Sequence, residues 1–232
     1  MLLPQGNRRF SERSVELNFA SEFRPPGTRV VWWALTQAEE RTRGFDGSAY
    51  AGGRGFLFQF QAASETTEAG PRFYAEHDQM RRLRHVAASP GAVFYVLPTI
   101  TSWSELYEGS LSLLAHTWLL DVHQLPERIR PPQRLRGRGP RRSAVHYIEL
   151  TPPTALIRSE PITARVEPAE VLLSPDVPDR RFGEQAGFSD VEEFLRLVRS
   201  LAAGDGRPER KGVGPRHRGL AAALVVPSYF FE

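Results

Sequence analysis

The chain has 232 residues, 41% of them hydrophobic and 25% charged, which is the composition of a globular domain and long enough to bury a core. Thirty Lys and Arg against 27 Asp and Glu leave a net charge of only +3, and 29 of those basic residues are arginine because Lys211 is the sole lysine. The absence of cysteine excludes disulfides, thiolate-ligated zinc and a thiol nucleophile.

No apolar run approaches the roughly 20 residues of a bilayer helix. The first residues, MLLPQGNRRF, lack a basic region followed by an apolar stretch, so the expected location is the cytoplasm, with no membrane partner.

In chain order, Ser11 to Phe23 predicts a first helix with Val15, Leu17, Phe19 and Phe23 as its apolar positions, stopped by Arg24-Pro25-Pro26-Gly27. Thr28 to Leu35 is β-branched and aromatic and predicts a strand. Thr36 to Arg43 predicts a short helix with a capping box between Thr36 and Glu39. Phe45 to Ala51 is extended, and Gly52-Gly53 is a turn.

Gly55 to Ala62 alternates, with Phe56, Phe58 and Phe60 on one face and Leu57, Gln59 and Gln61 on the other. A polar loop follows (SETTEAGP), then a short strand at Arg72 to Ala75. Glu76 to Ala88 predicts a helix with Met80, Leu83, Val86 and Ala87 inside and Arg81, Arg82 and Arg84 outside. Ala92 to Leu97 is continuously apolar, as expected of a strand covered on both faces.

The second half predicts a helix over Trp103 to Leu114, strands at Thr117 to Leu125 and Ala144 to Leu150, and a helix over Ser189 to Ala202. Its apolar end, AAALVVPSYFF, suits a last strand or a docking tail. The fold class is α/β with a mixed sheet. We read residues 1–232 as one domain: a core over about 11–125, a loop over 126–142 and a C-terminal extension over 143–232 that adds strands and a helix.

Asp46 and the next strand's Gln59-Phe60-Gln61 are the sharpest candidate site. Neighbouring strands can bring a carboxylate and an amide oxygen to one point, and hard oxygen donors of that kind suit Mg²⁺. The ordinary alternative makes Asp46 a turn residue and the two glutamines a solvent-facing strand side.

The runs TQAEERTRGFDG, FLFQFQA, HDQMRRLRHV and AVFYVLP resemble the core of the PD-(D/E)XK, or restriction-endonuclease-like, superfamily, in the style of branches carrying Gln-x-Lys. The resemblance covers about residues 11–98. It implies a mixed central sheet flanked by helices and a Mg²⁺-dependent phosphodiester hydrolase acting on nucleic acid, DNA in the first instance, in defence or repair. Asp46 matches the strand aspartate and Gln59 the glutamine, so these two would hold Mg²⁺. Glu16, with Glu40 as alternative, matches the helical glutamate that supports the metal or its water. Gln79 resembles a polar residue that some branches carry on the following helix.

Gln61 stands where the lysine belongs, and a neutral amide can position a nucleophile only weakly. Arg54 or Arg72 is the candidate for a migrated cation, although a guanidinium stays protonated and shuttles protons poorly. The departure favours a degenerate site. The alternatives are therefore a nuclease, a non-catalytic nucleic-acid-binding or scaffold subunit with a protein partner or as a homodimer, and an unrelated α/β domain.

The loop over 126–142 carries Arg128, Arg130, Arg134, Arg136, Arg138, Arg141 and Arg142 against Glu127 alone, a local charge of +6, and is the candidate phosphate-contacting element. The six histidines show no zinc-protease spacing, and Gly52, Gly53 and Gly55 lack a P-loop's Lys-Ser/Thr.

Overall fold

The computed structural model describes residues 9–34, 45–51, 54–86, 93–109, 111–130, 144–159, 162–173 and 223–225. The helices expected at Thr36 to Arg43 and Ser189 to Ala202 and the turn at Gly52-Gly53 lie outside them.

Helix α1 runs Glu12–Glu22. Ser11 caps it, its hydroxyl accepting from the Ser14 N–H at 3.1 Å. Val15, Phe19 and Phe23 are fully buried, four residues apart on one helical face, whereas Leu17 lies off that face and is 58% exposed. Pro25, which lacks an N–H, and Gly27, at φ +67°, end the segment.

Strands β1 (Val30–Ala34), β2 (Gly47–Ala51) and β3 (Arg54–Phe60) form an antiparallel meander. The polar stretch after β3 is not a loop. It holds β4 (Glu65–Thr67), turning at residues 68–69 into β5 (Gly70–Glu76). Gly70 has φ +128°, and a Cβ there would collide with the Leu150 carbonyl.

Helix α2 (His77–Val86) leads to β6 (Val93–Pro98), which is buried along its whole length. Because β3 and β6 are parallel, the chain between them must cross over, and α2 provides that crossover.

Helix α3 covers only Trp103–Glu108, against an expected Trp103 to Leu114. A Cβ at Gly109 would sit 2.7 Å from Leu111 Cγ and 2.9 Å from the Glu105 carbonyl oxygen. Beyond it, the Glu22 carboxylate of α1 takes the Leu113 and Leu114 N–H groups (3.1 and 2.8 Å) and the Ser112 hydroxyl (2.6 Å). Those amides are thus engaged elsewhere and cannot extend the helix.

Strand β7 is Thr117–Asp121, and Val122–Gln124 turns as a 3₁₀ helix capped by Asp121, which shortens the strand expected to reach Leu125. Strands β8 (Val145–Thr151), β9 (Thr154–Ile157) and β10 (Ile162–Pro168) follow, with a 3₁₀ turn at Ala169–Leu173 and a short β11 (Ala223–Val225). The sequence reading contained neither β9 nor β10.

Among the described residues the strands form one mixed sheet in the order β11-β1-β2-β3-β6-β7-β10-β9-β8-β5-β4, with β3/β6 its only parallel pair. Strand β10 pairs with β9 along Ile162 to Arg165 and with β7 along Val166 to Pro168, so it carries the sheet from one half to the other.

Each side of the β1-β7 half has its own core. One holds Phe56, Phe58, Phe60, Phe94 and Val96 under Val15, Phe19 and Phe23 of α1. The other holds Leu57, Tyr95 and Leu97 with Met80 and Leu83 of α2 and with Phe73, Ile148 and Leu150 from the β5-β8 half. The chain is therefore α/β, and the described residues form a large mixed sheet with few helices. No described helix is long and apolar enough to cross a membrane.

Candidate active site

Asp46 immediately precedes β2 and closes the end of the β2/β3 ladder. Its N–H donates to the Phe58 carbonyl at 2.9 Å. Its Oδ2 accepts the Phe60 N–H at 2.8 Å and the Gln59 Nε2–H at 2.6 Å. The structure thus brings the expected aspartate and glutamine into direct contact across adjacent strands.

The glutamine side of β3 is not solvent-facing. Gln59 is 1% exposed and Gln61 3%, because α2 and the β5-β8 half cover that side. The Gln59 amide also donates to the Phe60 carbonyl at 3.2 Å, while its Oε1 is shielded from water and has no hydrogen-bond partner. Gln61 donates its N–H to the Val96 carbonyl at 3.2 Å and extends the parallel pairing by one residue.

Tyr95 lies opposite Gln59 on β6. Its hydroxyl is also shielded and unpartnered, as is Nε of Arg82 on α2. Burial pushes the Tyr95 phenol well above its ordinary range, the Asp46 charge pushes the same way, and Arg82 opposes them. The expectation that Arg81, Arg82 and Arg84 line an outer face holds for Arg81. It fails for Arg84, which is half-buried and donates to the Leu125 carbonyl at 2.7 Å, and for Arg82.

Glu16 is placed differently. Its carboxylate takes Arg13 Nη1 at 2.7 and 2.6 Å within α1. That helix packs on the side of β3 opposite Gln59, with Phe19 5.4 and 5.5 Å from the rings of Phe58 and Phe60. Glu40 lies outside the described residues, as do Arg134, Arg136, Arg138, Arg141 and Arg142. Arg128 and Arg130 are exposed on either side of the buried Ile129. Gln79 is half-buried on α2.

Neither proposed migrated cation fits. Arg54 opens β3 and pairs with Ala51, at the end of the ladder away from Asp46. Arg72 on β5 is held by Glu149, to which its Nε donates at 2.9 Å, and by Glu65.

The Asp46 carboxylate and the Gln59 amide oxygen are hard donors, and the latter is a shielded acceptor with no donor of its own. Two such oxygens suit Mg²⁺, which keeps most of its waters and shares substrate phosphates. Among the described residues no cluster of three or more acidic or histidine side chains reinforces them.

Two polar clusters escaped the sequence reading. His77 Nδ1 and His146 Nε2 lie 3.0 Å apart, and His146 Nδ1 meets the Ser159 hydroxyl, which ties the first turn of α2 to β8 and to the turn after β9. Glu149, buried on β8, is gripped by Arg72 and by Arg158, whose Nε lies 2.6 Å away. The bonded partners are 9 to 77 residues apart in sequence, and no local spacing marks them.

No family model, no curated protein and no solved structure matches the chain. Its functional reading rests on this geometry.

Proposed function

We propose that the chain is a nuclease-like nucleic-acid-processing protein with a restriction-endonuclease-like core, acting on DNA in a defence or repair setting. The observation that carries the reading is the meeting of the Asp46 carboxylate with a glutamine side chain whose Oε1 is shielded and has no donor. The surrounding elements support the reading: α1, the β1-β2-β3 meander, and, after β4 and β5, the helix α2 leading to the buried parallel strand β6.

In this reading Asp46 and Gln59 would hold Mg²⁺. When bound, the ion neutralises phosphate charge and makes a bound water more acidic. Asp46 also anchors the strand ends through Phe60, which fixes its carboxylate rotamer. Gln61 contributes no charge. The exposed Arg128 and Arg130 begin the basic loop that would follow the phosphate backbone.

A second reading, a non-catalytic nucleic-acid-binding or scaffold subunit, draws on one feature. Gln59 presents its amide nitrogen to Asp46 and already satisfies Oδ2 without a cation.

A DNA cleavage assay in Mg²⁺ or Mn²⁺ separates the two. Cleavage by the wild type and its loss in Asp46→Ala is the expected outcome. Salt-dependent binding with no cleavage, unchanged in Asp46→Ala, assigns the scaffold role instead.

A further inference from the structure

We propose that Ser159, His146 and His77 form a second reactive site. Ser159 is a nucleophile that takes the acyl group of a carboxylic ester, His146 is its general base, and His77 is the positioning residue behind the base. The inference goes beyond the nuclease-like reading and uses none of its residues.

Sheet register assembles the three side chains. Strands β9, β8 and β5 are neighbours in that order. The ladder that sets Ile157 opposite Ile148 continues through the Arg158 N–H, which donates to the Tyr147 carbonyl at 3.0 Å, and so sets Ser159 opposite His146. On the other side of β8, Ala75 pairs with His146, and the His77 N–H donates to the Ala144 carbonyl at 2.7 Å. Residues two apart along a strand share a face. Ser159 therefore falls on the side of Ile157, His146 on that of Ile148 and His77 on that of Ala75, all three of which belong to one core. His146 is fully buried, whereas Ser159 and His77 are half-buried at the rim.

The contacts run in one line. Ser159 Oγ meets His146 Nδ1, and His146 Nε2 lies 3.0 Å from His77 Nδ1. The two ring centroids are 5.2 Å apart. That is close to the N···N distance plus two imidazole radii of about 1.15 Å, so the nitrogens face each other end-on, as in an N–H···N hydrogen bond. A metal held by both nitrogens would bend the arrangement and draw the centroids closer. The pair thus suits a shared proton better than an ion.

One arrangement of protons makes the serine reactive. With its proton on Nε2 and donated to His77, His146 keeps a lone pair on Nδ1 that accepts from the Ser159 hydroxyl. Nucleophile, base and orienting group then follow one another in hydrogen-bond reach. Ser159 Oγ bonds the ester carbonyl carbon as its proton passes to His146 Nδ1. The bond to the alcohol breaks, and the alcohol leaves with that proton. Water then adds to the acyl carbon and gives a proton to His146, and the acid departs as that proton returns to Ser159 Oγ.

The test treats the full chain with a fluorophosphonate probe, an electrophile that tags activated serines, and locates the adduct by peptide mass mapping. The exposed Ser21 is the unactivated reference. The adduct should form at Ser159 about 100-fold faster than at Ser21, and His146→Gln should slow it by about the same factor. Ser159→Ala should abolish it. His77→Leu should slow labelling about 10-fold, and His77→Asn, whose amide oxygen accepts the same hydrogen bond, should recover most of that loss. p-Nitrophenyl acetate, quenched in acid, should leave acetyl on Ser159.

Equal labelling of Ser159 and Ser21, no acetyl on Ser159, or a wild-type rate in His146→Gln or His77→Leu overturns the proposal. If the histidine variants do not fold, the wild type decides: selective labelling of Ser159 over Ser21 supports the site, and equal labelling overturns it.

Discussion

Replacing Phe58 with alanine should destabilise the protein by about 4 kcal/mol, the cost of truncating a large, fully enclosed aromatic whose site cannot collapse. The ring has no exposed surface and lies 5.4 to 6.3 Å from those of Phe19, Phe23, Trp32, Phe56, Phe60 and Phe94. It therefore joins α1, β1, β3 and β6; β3 carries Gln59, and Phe58 itself pairs with Gly47, the residue next to Asp46. Urea denaturation of Phe58→Ala and Leu17→Ala provides the check. Leu17 is 58% exposed, and its truncation should change stability by no more than about 0.5 kcal/mol. Similar midpoints for the two variants would contradict the packing described.

Glu149→Ala should cost about 3 kcal/mol. Removing one partner of a buried ion pair leaves the opposite charge uncompensated. The value falls at the low end of that class because Arg158 is 56% exposed and can rehydrate, whereas Arg72 is more enclosed. The network also has an acid limit. Burial alone would push the Glu149 carboxyl up, but the hydrogen bonds and charges of Arg158 and Arg72 outweigh it and hold the group below the ordinary carboxylate range. A carboxyl depressed in the folded state contributes its full stabilisation above its unfolded pKa, about 4.3, and loses it as pH falls towards the folded value. The stability gap between wild type and Glu149→Gln, measured by thermal unfolding, should be constant from pH 7 to about 5 and narrow below about 4. A gap that widens with acid would contradict the assignment.

The parts legible in the sequence are those written at short range. Alternation of Phe56, Phe58 and Phe60 against Gln59 and Gln61 marked β3 and separated its faces correctly. The adjacency of β2 and β3 made a meeting of Asp46 and Gln59 foreseeable. What covers the glutamine face was not legible, because α2 and the β5-β8 half come from distant parts of the chain. A polar strand face reads as solvent-exposed until its cover is known.

The same cause shortened α3, where Glu22 captures amides about 90 residues downstream. Pro152-Pro153 just before β9 and Pro168 at the end of β10 are loop punctuation by local rules. The pairing of β9 with both β8 and β10 supplies the ladder that local propensity does not reveal. Arg82 was grouped with Arg81 and Arg84 because all three are arginines on one helix. Local spacing did not separate it from Arg81, which flanks the same two core residues, Met80 and Leu83, and is exposed.

The most direct measurement of the central claim is calorimetric titration of the full chain with Mn²⁺, alone and in the presence of a DNA duplex, for wild type, Asp46→Asn and Gln59→Leu. If a carboxylate and an amide at the ends of β2 and β3 form one cation site, the wild type takes up the ion more tightly with DNA present and both single variants lose that uptake. Ion binding that survives both substitutions unchanged, or no uptake by the wild type even with DNA, would contradict the account.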